Sequence, residues 1–293
     1  MIADTGRVLA IDIGGTKLAA GVVTREGELI ERSHVPTPTN TDGAGLFAAL
    51  LALVEPHLSA GPFVAYGVGC GGPMTRGGRT VSPLNIASWR EFPLLQQLEA
   101  TTAAPVFIEN DAKALALAEG WVGAAVGESD YLAMVVSTGV GGGIVLNGKL
   151  LEGAGGNAGH IGHVVVEPDG FAHVGHVPGV LEAEASGRAI AAKLGRPAAE
   201  ATAEDVVQVG TYVGRAVGSV ANLLDLKLAL VAGSVALGYG ELFFAAAQAE
   251  IDRICQLDFS RGTVIRPAGC GDEGPLIGAA AVALRGLGLL PIG

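Results

Sequence analysis

The chain has 293 residues, of which 49% are hydrophobic and 16% charged, and its formal net charge is −11. One hydrophobic core rarely serves a chain of this length, so we expect two domains with a ligand cleft between them. The negative charge opposes nucleic acids and anionic membranes, and no run of Lys and Arg overrides it locally. Small molecules are therefore the expected partners.

The sequence also predicts a cytoplasmic protein with reduced thiols. It contains no stretch of about 18 apolar residues, and its start, Met1–Arg7, lacks the basic and apolar regions of a signal peptide. The three cysteines, Cys70, Cys255 and Cys270, are odd in number and far apart. They therefore form neither a disulfide framework nor a CxxC metal knuckle.

A strand-turn-strand unit opens the chain. A buried strand at 7–13 is followed by the turn Gly14–Lys17 and a returning strand at 18–23. The elements expected after it are a third strand beyond the turn 25–28, a helix from 43 to 58, strands at 64–69 and 105–108, and an alanine-rich helix that follows Glu109-Asn110-Asp111 and runs to about Trp121.

The same unit returns in the second half, with a strand at 131–136, a glycine turn at 137–143 and a strand at 144–146. Such duplication indicates two similar α/β halves, each supplying one glycine turn to a shared cleft. The predicted domains are residues 1–111 and 112–274, and a final helix at about 275–293 packs back on the first. The other expected elements are helices at 188–194, 204–226 and 239–255 and strands at 228–231 and 263–266.

The glycine turns are candidate phosphate sites. In Asp12–Lys17 the glycines let backbone N–H groups approach an anion, Thr16 adds a hydroxyl donor, and Asp12 can hold a metal-bound water. The alternative is that Gly14-Gly15 merely closes a hairpin. The second turn at 137–143 favours the phosphate interpretation, because hairpin geometry alone does not explain two such turns.

Two other nucleotide motifs are excluded or accidental. Gly148-Lys149 is followed by Leu150, so the P-loop pattern is absent. The segment Gly67–Gly72 matches GxGxxG, but Pro73 follows where a helix should open, so a dinucleotide fold is not indicated.

Glu109-Asn110-Asp111 lies where a strand ends and a helix begins. Helix capping explains one of these side chains, since Asn and Asp both accept from orphan N–H groups there. A carboxylate at a helix N-terminus also stays ionised, and so it can accept a proton from a substrate hydroxyl. Asp111 is thus a candidate general base.

Four of the six histidines lie between 159 and 176. The segment has no cysteine and its spacing fits no common structural zinc pattern, so His173 and His176 are interpreted as solvated or hydrogen-bonded residues. By contrast, His160, His163 and Glu182 are candidate partners for the hydroxyls of a polyol.

Read together, these segments resemble the ROK family of sugar kinases and related repressors, in family order and along nearly the whole chain. The resemblance implies a two-domain, actin-like (ribonuclease H-like) ATPase fold whose duplicated hairpins bind the phosphates of ATP with Mg²⁺. It implies Asp111 as the catalytic base. The implied sugar-binding residues are Gly72, Asn85, Asn110, Asp111, His160, His163 and Glu182. The implied ATP or phosphate-binding residues are Asp12, Gly14, Gly15, Thr16, Lys17, Thr138, Gly139, Gly141, Gly233 and Ser234.

The chain departs from the family pattern in two places. The family's zinc-binding cysteines align here with His173, Gly175 and Val180, so we expect no zinc unless His163, His173 and His176 form a site of their own. His160 stands where glucokinase-like members usually have Glu, whereas bacterial N-acetylmannosamine kinases share the Gly-His-Ile-Gly-His form. Imidazole can face an acetamido group without the desolvation cost of a carboxylate.

The resemblance therefore predicts ATP-dependent phosphorylation of a hexose or N-acylhexosamine at the 6-hydroxyl, with N-acetylmannosamine favoured and glucose as the alternative. A sugar-responsive transcriptional regulator and a non-catalytic sugar-binding protein are alternatives of another class. A homodimer or homotetramer is the expected assembly.

Overall fold

The structure is a computed structural model that describes residues 6–172, 177–290 and 292. Its elements in chain order are β1 (Val8–Ile13), β2 (Lys17–Val23), β3 (Leu29–Pro36), α1 (Gly43–Val54), β4 (Ala65–Cys70), α2 (Leu94–Glu99), β5 (Val106–Asn110), α3 (Asp111–Trp121), β6 (Tyr131–Val136), β7 (Val140–Leu146), β8 (Lys149–Leu150), α4 (Leu181–Ala185), α5 (Gly187–Leu194), α6 (Ala203–Leu224), β9 (Leu228–Ala232), α7 (Ser234–Ile254), β10 (Val264–Pro267) and α8 (Gly274–Gly286).

These elements form two compact units. The first comprises the chain up to Gly127, Gly148–Ala158 and the chain from Gly269 onward, and the second comprises Glu128–Asn147 and Gly159–Ala268. The sequence placed the boundary at Asp111, whereas in the structure the first unit includes all of α3. The physical reason is that α3 packs closely on α8, where the Gly278 backbone lies against the carbonyl of Ala114.

Both sheets repeat one strand arrangement. The first has the order β3-β2-β1-β4-β5, in which β2 is antiparallel to β1 while β4 and β5 run parallel to it. The second has the order β10-β9-β6-β7-β8, in which β7 is antiparallel to β6 while β9 and β10 run parallel to it. The predicted duplication of an antiparallel hairpin beside parallel strands is therefore present, and the predicted α/β, actin-like fold class is confirmed.

The two faces of the first sheet carry different side chains. Because side chains alternate along a strand, Leu9, Ile11 and Ile13 of β1 point to one face. There they join the core cluster that also contains Leu46 and Leu50 of α1. On the opposite face β4 presents only Gly67 and Gly69 after Ala65, which allows α8 and α3 to approach the strand closely. This face carries the functional residues described below.

Two of the element boundaries that differ from the prediction lie beside glycines. The turn expected at 137–143 is shorter, because β7 begins at Val140 and Gly141 pairs with Val135 as strand residues. The helix expected from Tyr239 begins at Ser234, and its backbone breaks at Gly240, where φ is 60°. Neither boundary could be predicted from the sequence, because the glycines beside it are compatible with strand, turn and left-handed conformations alike.

One segment, Gly43–Ala60, has the length and mean hydropathy (1.4) of a membrane span by composition alone. In the structure α1 ends at Val54 and a 3-10 helix with Pro56 follows. One face of α1, with Leu46, Phe47, Leu50, Leu53 and Val54, is buried in the core cluster, and the imidazole of His57 is hydrogen-bonded to Ser33 at 2.7 Å. The segment therefore packs on the first sheet through one face.

The close packing of α8 on β4 gives the first prediction. A Cβ atom at Gly67 would collide with the backbone carbonyl of Ala279. Since that obstacle is backbone, Gly67→Ala should lower the free energy of unfolding by about 1–3 kcal/mol or more. The matched control is Gly155→Ala, whose Cβ would meet only the Asn157 side chain at 3.7 Å. Equal urea midpoints for the two variants would contradict this account of the packing.

Candidate active site

The carboxyl ends of three adjacent strands bring the predicted residues of the first unit together. Asp12 on β1 lies opposite Gly69 on β4, which in turn lies opposite Glu109 on β5. One step further along, Cys70 lies opposite Asn110. The carboxyl ends of parallel strands are the usual location of ligand sites in α/β proteins.

Two hydrogen bonds at Gly14 fix the first glycine turn. The N–H of Gly14 donates to the Lys17 carbonyl at 3.0 Å, and the Thr37 hydroxyl donates to the Gly14 carbonyl at 2.7 Å. A Cβ on Gly15 would lie only 2.5 Å from the Cβ of Asn85, so this contact requires glycine. Gly15, predicted to bind phosphate, and Asn85, predicted to bind sugar, are therefore in contact.

Asp12 lies in an unfavourable place for a charge. Burial and, second, the charge of Asp111 raise the pKa of Asp12 from 3.8 to about 7, while Lys17 opposes the shift. The two carboxylates are thus close enough to repel each other. A hard divalent cation would relieve that repulsion, and Mg²⁺ prefers one or two carboxylates together with phosphate oxygens.

Asn110 and Asp111 make different contacts at the start of α3. Asn110 is the N-cap, since its Oδ1 accepts from the N–H groups of Ala112 at 3.1 Å and Lys113 at 3.3 Å. Asp111 is the first helical residue, and its Oδ1 accepts from Ala112 at 2.8 Å. Capping therefore explains Asn110, while the Asp111 carboxylate lies at the positive end of the helix, which favours its ionised form.

In the second unit, two glycines allow residues 159–163, the histidine segment, to pack closely on β7. A Cβ at Gly159 would collide with the Gly142 carbonyl, and one at Gly162 with the Val140 carbonyl. This approach holds His160 and His163 side by side, with ring centroids 5.9 Å apart.

Glu182, in the first turn of α4, faces the same start of β7. It is buried, and its Oε2 accepts from the Val140 N–H at 2.8 Å. A Cβ at Gly162 would lie 3.3 Å from the Cβ of Glu182. The structure thus brings the histidine segment and Glu182 together.

A cavity of about 400 Å³ opens beside the second glycine turn. Ser137 and Thr138 of that turn and Ser234 of α7 line it, and the Ser137 and Ser234 hydroxyls lie 3.0 Å apart. Ser234 is the first residue of α7, and the N-terminus of a helix has backbone N–H groups and a positive dipole end that suit an anion. Hydroxyls, glycine and a helix N-terminus form a donor set that suits a phosphate chain.

The sequence identified part of this cavity. Thr138 and Ser234, both predicted to bind phosphate, line it, whereas Gly141 lies within β7. The phosphate assignments of all these residues remain predictions. The lining residues that the sequence did not reveal are Gly187, Arg188, Ala191, Ala198, Ala199, Val235, Gly238 and Tyr239. Ser186 is the N-cap of α5, and the Gly187 N–H donates to the Ser137 carbonyl at 2.7 Å, so this helix start is bonded to the second glycine turn.

The predictions about zinc are not tested by the described residues. Within the described ranges no group of three or more His, Cys, Asp or Glu side chains could hold a metal ion. His173 and His176 lie outside the described residues, and His163 is exposed. The absence of zinc therefore stays a prediction.

The raised pKa of Asp12 predicts a pH-dependent stability. Because the folded-state pKa of about 7 exceeds the ordinary value of 3.8, the folded protein holds this proton more tightly than the unfolded chain. The stabilisation is present at low pH and is lost as the pH rises through 7. Asp12→Asn should therefore become more stable than the wild type, by about 2–3 kcal/mol more at pH 8 than at pH 5.

Urea unfolding at the two pH values measures this difference. The control is Asp258→Asn, which changes a fully exposed carboxylate and should shift both midpoints equally. A stability difference for Asp12→Asn that does not change with pH would rule out the buried carboxylate as its source.

The sequence profile of the ROK family matches residues 8–285. The N-acetylmannosamine kinase of Yersinia pseudotuberculosis serotype O:1b (strain IP 31758) is 39% identical over 258 residues, which are 81% of this chain and 86% of that protein.

Solved structures agree with this result. The ROK family glucokinase from Streptomyces griseus, in complex with glucose and AMPPNP, superposes with a TM-score of 0.82 at 30% identity, covering 96% of this chain and 100% of that one. A ROK family transcriptional regulator, a homolog of the E. coli MLC protein, also gives 0.82, covering 98% of this chain and 80% of that one. At 22% identity this second likeness shows the fold alone. The chain belongs to the ROK family.

Proposed function

We propose that this ROK protein transfers the γ-phosphoryl group of ATP to the 6-hydroxyl of a hexose or N-acylhexosamine, with N-acetylmannosamine favoured. The predicted class, a sugar kinase, is confirmed by the kinase relatives at 39% and 30% identity. The observation that carries the proposal is the position of Asp111, in the first turn of α3 and close enough to Asp12 for their charges to interact.

In this mechanism Asp111 accepts the proton of the attacking sugar hydroxyl. Phosphoryl transfer has a loose, highly charged transition state, so positioning and electrostatics supply most of the acceleration. A positioned base adds about 10²–10⁴-fold, which corresponds to about 3–5 kcal/mol of barrier. Its neighbour Asn110 caps the helix through Oδ1, so its amide nitrogen is directed to the sugar in this proposal.

The nucleotide is assigned to the cavity of the second unit and the two glycine turns. Ser137, Thr138 and Ser234 would donate to phosphate oxygens, and the backbone of Gly14 and Gly15 would approach the transferred group. Asp12 would hold Mg²⁺ through bound water, and the ion would supply positive charge to the phosphates. The fit rests on the donor set and on the repulsion between Asp12 and Asp111.

The choice of sugar rests on His160. It is part of the segment that β7 holds beside His163, and its imidazole would face the substituent at the sugar's 2-position. Glu182 and His163 would bind other hydroxyls. Glucose is the second candidate, because the 30% identical structure is a glucokinase with glucose.

A transcriptional regulator is the alternative of another class, motivated by the family and by the fold shared with a regulator. The net charge of −11 speaks against DNA as a partner, and specific retardation of genomic fragments in a gel-shift experiment would favour it. A cytoplasmic location and a homodimer or homotetramer are part of the proposal, since family members of this kind often assemble.

Asp111→Asn tests the base. The substitution keeps the size and shape of the side chain but replaces one carboxylate oxygen with an amide nitrogen, and the amide cannot accept a proton, so turnover should fall at least 100-fold while the sugar KM changes little. Steady-state coupled assays give both values, with Asp258→Asn as the control. A variant that keeps more than about a tenth of the wild-type rate would remove Asp111 from this role.

A panel of glucose, mannose, N-acetylglucosamine and N-acetylmannosamine tests the sugar. We expect the highest kcat/KM for N-acetylmannosamine, and we expect His160→Glu to shift the preference towards glucose by about tenfold or more, since a carboxylate beside an acetamido group is poorly solvated. A wild-type enzyme that prefers glucose would overturn the inference from His160 while leaving the kinase class intact.

A further inference from the structure

Lys113 is a buried lysine two residues after Asp111. Its side chain is 1% exposed and meets three acceptors: Glu109 Oε1 at 3.0 Å, Glu152 Oε2 at 3.1 Å and the Gly156 carbonyl at 3.0 Å. An ammonium group has three N–H donors, so this set satisfies it completely. Nothing in the proposed chemistry uses this lysine, yet a buried charge is retained only where partners compensate it.

One of these acceptors is directly linked to the proposed active site. Glu109 Oε1 also accepts from the N–H of Asn110 at 2.8 Å. The Lys113 ammonium group therefore fixes the Glu109 carboxylate, and this carboxylate in turn fixes the backbone N–H of Asn110, the residue before Asp111. Any shift of Lys113 would be transmitted to the turn at the end of β5.

The other two acceptors belong to residues 152–157, which we call the strap. Arg285 of α8 holds its first residue, with Nη2 2.6 Å from Glu152 Oε1. Asn157 holds its last residue to Met74, donating to the Met74 carbonyl at 2.9 Å and accepting from its N–H at 3.1 Å. Met74 lies two residues after Gly72, a predicted sugar-binding residue.

The strap is therefore bonded next to two segments of the first unit that carry predicted sugar ligands, one at Gly72 and one at Asn110-Asp111. In the chain it leads, through Ala158, directly into Gly159 and His160. Its middle is glycine-rich, with positive φ at Gly153 (73°) and Gly156 (87°). Such a segment has little conformational preference of its own, so its position depends on these anchors.

We propose that Lys113 is a positioning residue for sugar binding, which ties the Glu109–Asp111 turn to the strap that leads into His160. The inference rests on the proposed function, since it concerns that same sugar site. Loss of the contacts of Lys113 should weaken sugar binding without affecting nucleotide binding, because the cavity beside Ser137 and Ser234 shares no residue with the strap.

Two variants loosen the strap at partly exposed positions and leave the buried lysine in place: Glu152→Gln and Asn157→Ala. Each should raise the sugar KM about tenfold or more, because misplacement of a binding group by about 1 Å costs up to 100-fold. The KM for ATP should stay within about twofold in both. The control is Lys149→Met, which removes an exposed lysine on β8 just before the strap.

Lys113→Met tests the lysine itself, and Lys113→Met with Glu152→Gln restores the balance of buried charge if the single variant folds poorly. Both should show the same rise in sugar KM. Amide hydrogen exchange of residues 151–158 should be faster in all four variants than in the wild type and in Lys149→Met.

Faster exchange together with an unchanged sugar KM would show that the network only stabilises the fold, and it would overturn the positioning role. A KM for ATP that rises with that for sugar would overturn it as well. If the wild type phosphorylates no sugar of the panel, the proposed function fails and the inference falls with it. If the wild type is active and the variants keep its sugar KM, only the inference fails.

Discussion

Two carboxylates near the carboxyl ends of β1 and β5 set the main physical constraint on this protein. Asp12 and Asp111 flank β4, whose intervening residue is Gly69. A Cβ there would lie 3.5 Å from Asp12 Oδ1 and 3.7 Å from the Asp111 Cα, so little protein material separates the two groups. Burial and mutual repulsion make this arrangement costly in the free protein. Such local cost is typical of functional sites and is offset by packing elsewhere.

The packing that offsets this cost relies on glycine at contact points. Gly67 lets α8 lie against β4, Gly15 admits Asn85 beside the phosphate turn, and Gly162 brings the histidine segment onto β7. In each case the neighbouring atom belongs to backbone or to the first atoms of a side chain, so larger residues would displace a whole element. The many glycines of the chain thus place functional side chains as well as form turns.

The buried network around Lys113 adds a further layer to the same site. Its two carboxylates and two cations balance in charge, with Arg285 completing the set. Removing one member would leave the others uncompensated in a poorly solvated place. In this way residues that touch no substrate can fix the backbone before Asp111 relative to the strap within the first unit, and a sugar kinase depends on positioning for much of its rate.

The sequence by itself determined the duplicated hairpins, the position of Glu109-Asn110-Asp111 between a strand and a helix, and the family, because hydrophobic periodicity and turn glycines are local and stand in a recognisable order. It did not determine that Gly141 is a strand residue, that Arg188 and Tyr239 line a cavity, or that Lys113 is buried. Those facts were decided by tertiary structure. A lysine two residues after a predicted base resembles any solvated helix residue until the acceptor 43 positions away in the chain is brought beside it.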